Sequence, residues 1–486
     1  MENKRILMVA SEAVPFVKTG GLADVMGVLP QKLNELGNDC RVILPLYKEV
    51  KEKYIDDLQF MRWTTIDMGW RNSYSGLFKM HLNGVHYYFI DNEYYFNQDF
   101  IYSDADFDIE RFTFFQRAVL DVMGYPMDFY PDFLHCHDWQ TGLLPALLKA
   151  HYQSNGLLSN IKTAYTIHNL KYQGIHSYEK VADLSELPEE YMSEWGVLHN
   201  GDANFMKAGI VYADMVSTVS PAYAEEIKTP FYGEGLDGIL RGFGHKVRGV
   251  LNGIDMDSYN PETDTDIVRN YNIDNVYDEK VKNKLALQEE LGLEVNPDIP
   301  MITMITRLVD QKGLDLLIRV IDEIMEEELQ FVLLGTGDPH YEYEMYLAEQ
   351  RNYEKLRSCI MYDAKLSRRM YAGGDIFLMP SIYEPCGLSQ MISMCYGNVP
   401  LVRDTGGLHN TVFNYNTETG EGNGFSFPNI NAHDMLYLIK DAINLYTNEH
   451  EDWKKLMHTG MTSDFSWDKS AKEYDGLYDE ILSWDH

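Results

Sequence analysis

Two cations five residues apart, Arg307 and Lys312, follow the apolar run Met301–Ile305, and Gly313 opens the helical stretch after them. Such a run reads as a parallel strand, and ligands in α/β folds bind beyond the carboxyl ends of these strands. Two fixed positive charges there can hold a diphosphate and stabilise its charge as it leaves. Solvated surface cations are the ordinary alternative. A local positive excess nevertheless stands out in a chain with 41 Lys and Arg against 75 Asp and Glu.

Lys18-Thr19-Gly20-Gly21-Leu22 lies between the strand-like Arg5–Ala10 and the helix-like Leu22–Leu36. Glycine N–H groups at the positive end of a helix can face a phosphate, and Lys18 adds a cation. The Walker spacing is absent, so on these residues alone a tight structural turn and a phosphate contact stand equally open. Glu384-Pro385-Cys386-Gly387-Leu388 follows the apolar Asp375–Met379 and opens a helix. Glu384 is therefore placed either to bind sugar hydroxyls or to cap that helix, and for an isolated Glu-Pro pair the cap is the better reading.

His135-Cys136-His137-Asp138 has the residue types of a metal site, yet neighbours on a strand point to opposite faces and cannot all converge. His168-Asn169 ends the run Thr163–Ile167, which suits hydrogen bonding to a substrate or a satisfied core histidine. Gly335-Thr336-Gly337 fails as a dinucleotide fingerprint, since His340 occupies the third position, and reads as a strand-to-loop turn. Asp-x-Asp pairs at 104/106, 106/108, 255/257 and 264/266 could chelate magnesium. Four hits in an acidic chain read mostly as solvated turns.

These candidates sit at the ends of regularly spaced elements. Ten short β-rich runs, Arg5–Ala10, Cys40–Pro45, Phe133–Cys136, Thr163–Ile167, Met215–Val219, Val247–Leu251, Met301–Ile305, Phe331–Leu334, Asp375–Met379 and Val399–Val402, alternate with stretches of helical period. Asn83-Gly84 within His81–Ile90 signals a hairpin and an antiparallel excursion. Ten parallel strands exceed one comfortable sheet, so the α/β chain divides into two Rossmann-like domains facing across a cleft, 1–245 and 246–460. The aromatic-spaced tail, 461–486, is expected to pack back on the first as a helix.

The 486 residues carry a net charge of −34, which disfavours nucleic acid as a partner. Five cysteines without paired spacing suit a reducing cytoplasm. The apolar run at Ile6–Ala10 is too short for a signal and no stretch of 18 apolar residues occurs, so neither export nor a membrane span is expected.

Together the segments resemble the glycosyltransferase family of bacterial glycogen synthases and plant starch synthases. The resemblance rests on Lys18-Thr19-Gly20-Gly21-Leu22-Ala23-Asp24-Val25, His137-Asp138-Trp139-Gln140-Thr141-Gly142, Thr166-Ile167-His168-Asn169-Leu170 with Tyr172-Gln173-Gly174, and Asn252-Gly253-Ile254-Asp255. It continues through Thr306–Leu314, Glu384–Leu388 and Thr405-Gly406-Gly407-Leu408, in family order and nearly end to end. It implies a GT-B fold, an ADP-glucose donor, and transfer of glucose with retention to the non-reducing end of an α-1,4-glucan such as glycogen. No metal or other cofactor is implied.

Carried over by position, Lys18, Gly21, Arg307 and Lys312 would hold the diphosphate, with Glu384 and His168 on the donor glucose. Asp138 and Asn252 would lie in the catalytic cleft, and Tyr362 would stack on the base. Gly20, Asp24, Asn169, Leu388, Thr405, Gly406 and Gly407 complete the implied substrate-binding set. Ser389 stands where the bacterial family usually has threonine and keeps the hydroxyl. His409-Asn410 departs from the usual small-acidic pair. A sucrose or trehalose-phosphate synthase would carry a second glutamate where Ile392 stands. No lysine motif for the pyridoxal phosphate of an α-glucan phosphorylase is visible. A non-enzymatic glucan-binding protein would leave the basic and glycine-rich loops unexplained.

Overall fold

Arg5–Val9 is a strand whose residues are buried except for Arg5, as expected when helices cover both faces of a parallel sheet. The computed structural model describes residues 3–124, 127–152, 156 and 158–484. It divides into two units, Met1–Val250 with Trp467–His486, and Leu251–Ser466.

The first unit is built on nine strands in the order Val247–Gly249, Met215–Thr218, Lys162–Ile167, Phe133–His137, Arg5–Val9, Asp39–Pro45, Val85–Asp91, Arg71–Leu82 and Gln59–Met68. The first seven run parallel. The last two close the sheet antiparallel. Leu82 pairs with Val85 across Asn83 (φ 50°) and Gly84 (φ 77°), the twin positive φ of the tight hairpin that the dipeptide signals. The excursion is longer than the expected 81–90, because Gln59–Met68 adds an edge strand, and Val85–Asp91 rejoins the sheet parallel to Asp39–Pro45.

Helix Trp467–Ser483 belongs to this first unit. It buries Trp467, Ala471, Tyr474, Tyr478 and Ile481, a spacing of three to four residues. Its acidic face is met by Lys4, whose Nζ lies 2.8 Å from Asp475 and 2.9 Å from Asp479. Lys32 reaches Asp468 at 3.0 Å.

The second unit holds a six-stranded parallel sheet, ordered Leu356–Cys359, Gln330–Leu334, Met301–Ile305, Ile376–Met379, Val399–Arg403 and Phe425–Phe427. All ten expected strands form, Met301–Ile305 with its expected bounds and the others with ends shifted by at most two residues. Asp375 stays outside its strand because its carboxylate accepts from the Met301 N–H at 2.8 Å and pairs with Lys284 at 2.7 Å. The two outermost strands escaped the reading because one, Leu356-Arg357-Ser358-Cys359, is half polar and the other is three residues long.

Both sheets reverse direction of winding at a definite place. In the first, the chain runs outward from Arg5–Val9 to one side and from Phe133–His137 to the other. In the second, the reversal falls between Met301–Ile305 and Ile376–Met379. Loops leaving such a switch point part and open a crevice beyond the strand ends. Among the described residues no helix is long and apolar enough to cross a membrane.

Candidate active site

At the switch point of the first unit, Glu12 organises the glycine loop. Its buried carboxylate accepts from the Thr19 backbone N–H, from Thr19 Oγ1 at 2.9 Å and from the Gly20 N–H at 3.3 Å, and Tyr102 Oη lies 3.4 Å away. Burial pushes this carboxyl above its ordinary range, and the hydrogen bonds pull it partly back. Helix Gly21–Glu35 starts with no side-chain cap, and a Cβ on Gly21 would meet nothing within 4 Å. The exposed helix start at Gly21 therefore borders open space, where an anion can approach it. Lys18 pairs with Asp24 at 2.7 Å, both partly exposed. A pair of that kind is worth little, so Lys18 can exchange Asp24 for a ligand.

Asp138 follows strand Phe133–His137 with φ 57° and ψ −177°, a conformation that costs a non-glycine residue of order 1–3 kcal/mol. Its carboxylate accepts from the His168 N–H at 2.7 Å and the Asn169 N–H at 3.4 Å, tying together the ends of adjacent strands. Enclosure by protein, with Glu12 nearby, pushes its pKa up to about 7 against the pull of those two N–H groups. His168 Nε2 lies 3.0 Å from His137 Nδ1. The His137 ring stacks on His135 with centroids 4.2 Å apart. His135 is bonded to Tyr478 Oη and Thr166 Oγ1, both at 2.7 Å. Burial lowers all three imidazoles, His135 and His168 to about 3, so they are neutral at pH 7. His135 and His137 share one strand face and form a hydrogen-bonded stack.

At the switch point of the second unit, Lys312 Nζ lies 2.6 Å from Glu384 Oε2, with the side chains 15% and 8% exposed. Ser381 Oγ donates to the same oxygen at 2.9 Å. Their loops are laced by Ile382 N–H to the Gln311 carbonyl at 2.8 Å and by Gln311 Nε2 to the Tyr383 carbonyl at 3.2 Å. Gly313 lets the first loop turn in (φ 71°), since a Cβ there would stand 2.0 Å from the Pro380 carbonyl. The cap reading of Glu384 is overturned. The following helix, Ser389–Cys395, has Leu388 at its cap and receives no side-chain bond, because the carboxylate is committed to Lys312 and Ser381. Arg307 is exposed, and among the described residues no carboxylate comes within ion-pair distance of it.

The Thr-Gly-Gly-Leu sequence has a second use here. Gly407 donates its N–H to the Glu384 carbonyl at 3.0 Å, and a Cβ on it would come within 1.8 Å of the Cys386 carbonyl. Gly407 is thus required by close backbone packing and Gly406 turns with φ 47°, with Thr405 buried before them, whereas Gly21 faces open space. His409 bonds Asp404 at 2.7 Å. Asn252 is buried, its Oδ1 lacks a partner among the described residues, and its backbone N–H meets the Cys386 thiol. Tyr362 is 89% exposed, a ring free to take a flat ligand. Leu388 and Ser389 are half-buried, and the Ser389 hydroxyl bonds the Tyr371 phenol.

The structure brings Asp138, His168 and Asn169 together on the first unit and Lys312 with Glu384 on the second. Glu12 and Ser381 escaped the reading of the sequence, as did the bond of His137 to His168. Glu12 left one usable sign, a carboxylate between a strand end and a glycine loop. Gly335 and Gly337 are the expected turn, required where their loop crosses the backbone of Thr306 and Leu308. The Asp-x-Asp carboxylates have protein partners, Asp264 among them with Tyr396 and Arg368. Asp255 accepts from the Asp257 and Ser258 N–H groups, Asp264 from Asp266, and Asp104 from Phe107, while Asp106 meets His176.

A family model for the starch synthase catalytic domain matches residues 5–242, and one for group 1 glycosyl transferases matches residues 290–456. A glycogen synthase of Clostridium novyi is 49% identical over 98% of this chain and 99% of its own length. One of Lachnospira eligens is 48% identical over 98% of this chain and 100% of its own. The catalytic domain of starch synthase IV from Arabidopsis thaliana, solved with ADP and acarbose, superposes with a TM-score of 0.88 at 33% identity, covering 99% of this chain and 100% of that one. A sucrose-phosphate synthase from Thermosynechococcus elongatus, 15% identical with a TM-score of 0.62 over 99% of this chain and 100% of its own, shares the fold alone. Two α/β units with parallel sheets of the GT-B type, matched end to end at such identity, place this chain in the glycogen and starch synthase family of glycosyltransferases.

Proposed function

We propose that the chain transfers glucose from ADP-glucose, with retention, to the non-reducing end of an α-1,4-glucan, forming a new α-1,4 linkage in the cytoplasm. The observation that carries this reading is the constellation at the second unit's switch point, where an exposed Arg307 on the loop after Met301–Ile305 precedes by five residues a Lys312–Glu384 pair braced by Ser381. It offers two cations to a diphosphate and a carboxylate to the sugar it leaves. The Arabidopsis relative, solved with ADP and acarbose, supports an adenine nucleotide and a glucan-like ligand.

In this reading the acceptor hydroxyl attacks the anomeric carbon from the face the diphosphate departs, and the departing oxygen takes the hydroxyl's proton. No protein nucleophile is needed. Arg307 and Lys312 lower the barrier by meeting the charge that develops on the leaving group, and Glu384 steadies the cationic sugar. Tyr362 stacks on the base. On the first unit, Lys18 and the helix start at Gly21 bind phosphate oxygens, while Asp138 holds His168 and Asn169 where they meet the sugar.

Initial rates with ADP-glucose, UDP-glucose and GDP-glucose, each with glycogen as acceptor, test the proposal. ADP-glucose should be used at least tenfold more efficiently, a preference of ~1.4 kcal/mol, and the product should be fully open to an α-1,4-specific hydrolase. Equal or better rates with UDP-glucose would overturn the donor assignment, and no transfer from any donor would overturn the reaction.

A further inference from the structure

His137 Nδ1 and His168 Nε2 are 3.0 Å apart, so one must carry the proton that the other accepts. Two arrangements are possible for a pair of neutral imidazoles. If His168 donates from Nε2, the single proton of His137 sits on its own Nε2. That atom is buried and has no hydrogen-bond partner among the described residues, so this arrangement strands an N–H in the protein interior. If His137 donates from Nδ1, the atom left without a partner is a bare lone pair. Orphaned buried N–H groups are the rarer and costlier of the two.

Turning the His137 ring over would exchange Nδ1 for a carbon and lose the bond. The ring is also held flat against His135, which is itself fixed through both nitrogens by Tyr478 and Thr166. His168 is half-buried, and its Nδ1 has no hydrogen-bond partner among the described residues.

We propose that His137 is a positioning residue, whose Nδ1–H bond to His168 Nε2 locks His168 in the tautomer protonated at Nδ1 and so makes it a neutral hydrogen-bond donor to an oxygen of the sugar substrate. The substrate half of this inference rests on the proposed function. A sugar hydroxyl facing His168 then accepts from it and keeps its own proton for another partner. Both rings stay uncharged, so the donor strength does not depend on capturing a proton from solvent.

The tautomer is read directly from long-range nitrogen–proton correlation spectra of the full chain labelled with [15N]histidine, with the His168 signals identified by their loss in His168→Gln. The unmodified protein should give the Nδ1–H pattern at pH 7. His137→Leu should move His168 to the Nε2–H pattern and lower kcat about tenfold, the low end of the cost of losing an outer hydrogen-bond partner, with KM changed less than kcat. His137→Asn, whose amide nitrogen replaces Nδ1–H, should restore both the spectrum and most of the rate. An Nε2–H or doubly protonated His168 in the unmodified protein would overturn the inference even if no variant folds. Failure of His137→Asn to outperform an equally folded His137→Leu would also overturn it. Full activity in His168→Gln would remove the substrate half along with the functional reading beneath it, while the spectra would still decide the tautomer.

Discussion

Substituting Lys312 by methionine separates what the Lys312–Glu384 pair does for stability from what it does for the reaction. The carboxylate left behind is 8% exposed and keeps only the Ser381 hydroxyl, 2.9 Å away. Removing one partner of a buried ion pair costs about 3–5 kcal/mol, and the surviving hydroxyl places this case at the lower end. At 2–4 °C per kcal/mol for a unit of this size, the second unit should melt ~6–12 °C lower. Glu384→Gln keeps the side-chain size and an oxygen for Ser381 but strands the ammonium, which is 15% exposed and better hydrated, so its loss should be nearer 1–2 kcal/mol, or about 2–8 °C. The double variant should recover part of the sum, because neither charge is then left alone. Arg307→Ala is the control. It is exposed and unpaired among the described residues, so its melting point should stay within about 2 °C. Its kcat should fall about a hundredfold, as should that of Lys312→Met per folded molecule, since each loses ~3 kcal/mol of stabilisation of the leaving diphosphate. Calorimetry and initial rates on the same samples supply both numbers. If Lys312→Met melts low yet keeps turnover within threefold per folded molecule, the pair is a brace and the cation reading of this site is wrong.

Tyr362→Phe should leave the donor KM unchanged, since stacking needs only the ring, whereas Tyr362→Ala should raise it about tenfold, a loss of ~1.4 kcal/mol; equal KM values in the two variants would discard the stacking role. Transfer should survive excess EDTA and the substitution Asp257→Asn, because in the proposed reading Arg307 and Lys312 meet the diphosphate charge, and Asp255 is committed to the Asp257 and Ser258 amides; activity lost to EDTA and restored by Mg²⁺ or Mn²⁺ would return these carboxylates to metal binding. The Asp138 carboxyl, raised from 3.8 to about 7, binds a proton more tightly folded than unfolded, so it favours folding below pH 4 and that contribution is lost as pH rises through 7. Asp138→Asn should therefore flatten the fall in urea stability between pH 4 and 7, and an unchanged slope would contradict the raised carboxyl.

The order of elements and the motifs they carry were readable without a structure, because both are local. An apolar run such as Ile6–Val9 reads as a strand, Asn83-Gly84 reads as a tight turn, and the glycine, cation and carboxylate segments stand in family order along one chain. Length also limited what could be read. Leu356–Cys359 and Phe425–Phe427 are too polar or too short to announce themselves, and their place at the sheet edge supplies the burial their sequence lacks.

Pairing across long separations belonged to the tertiary structure. Lys312 and Glu384 are 72 residues apart, and only the adjacency of Met301–Ile305 and Ile376–Met379 brings their loops together, turning an apparent helix cap into the partner of a cation. Tyr478 reaches His135 over 343 residues of chain. The same Thr-Gly-Gly-Leu is an open cradle for amides at Gly21 and a close backbone crossing at Gly407, a difference set by what packs opposite each glycine. Periodicity reports which face of an element is buried, and no local pattern reports which other element will bury it.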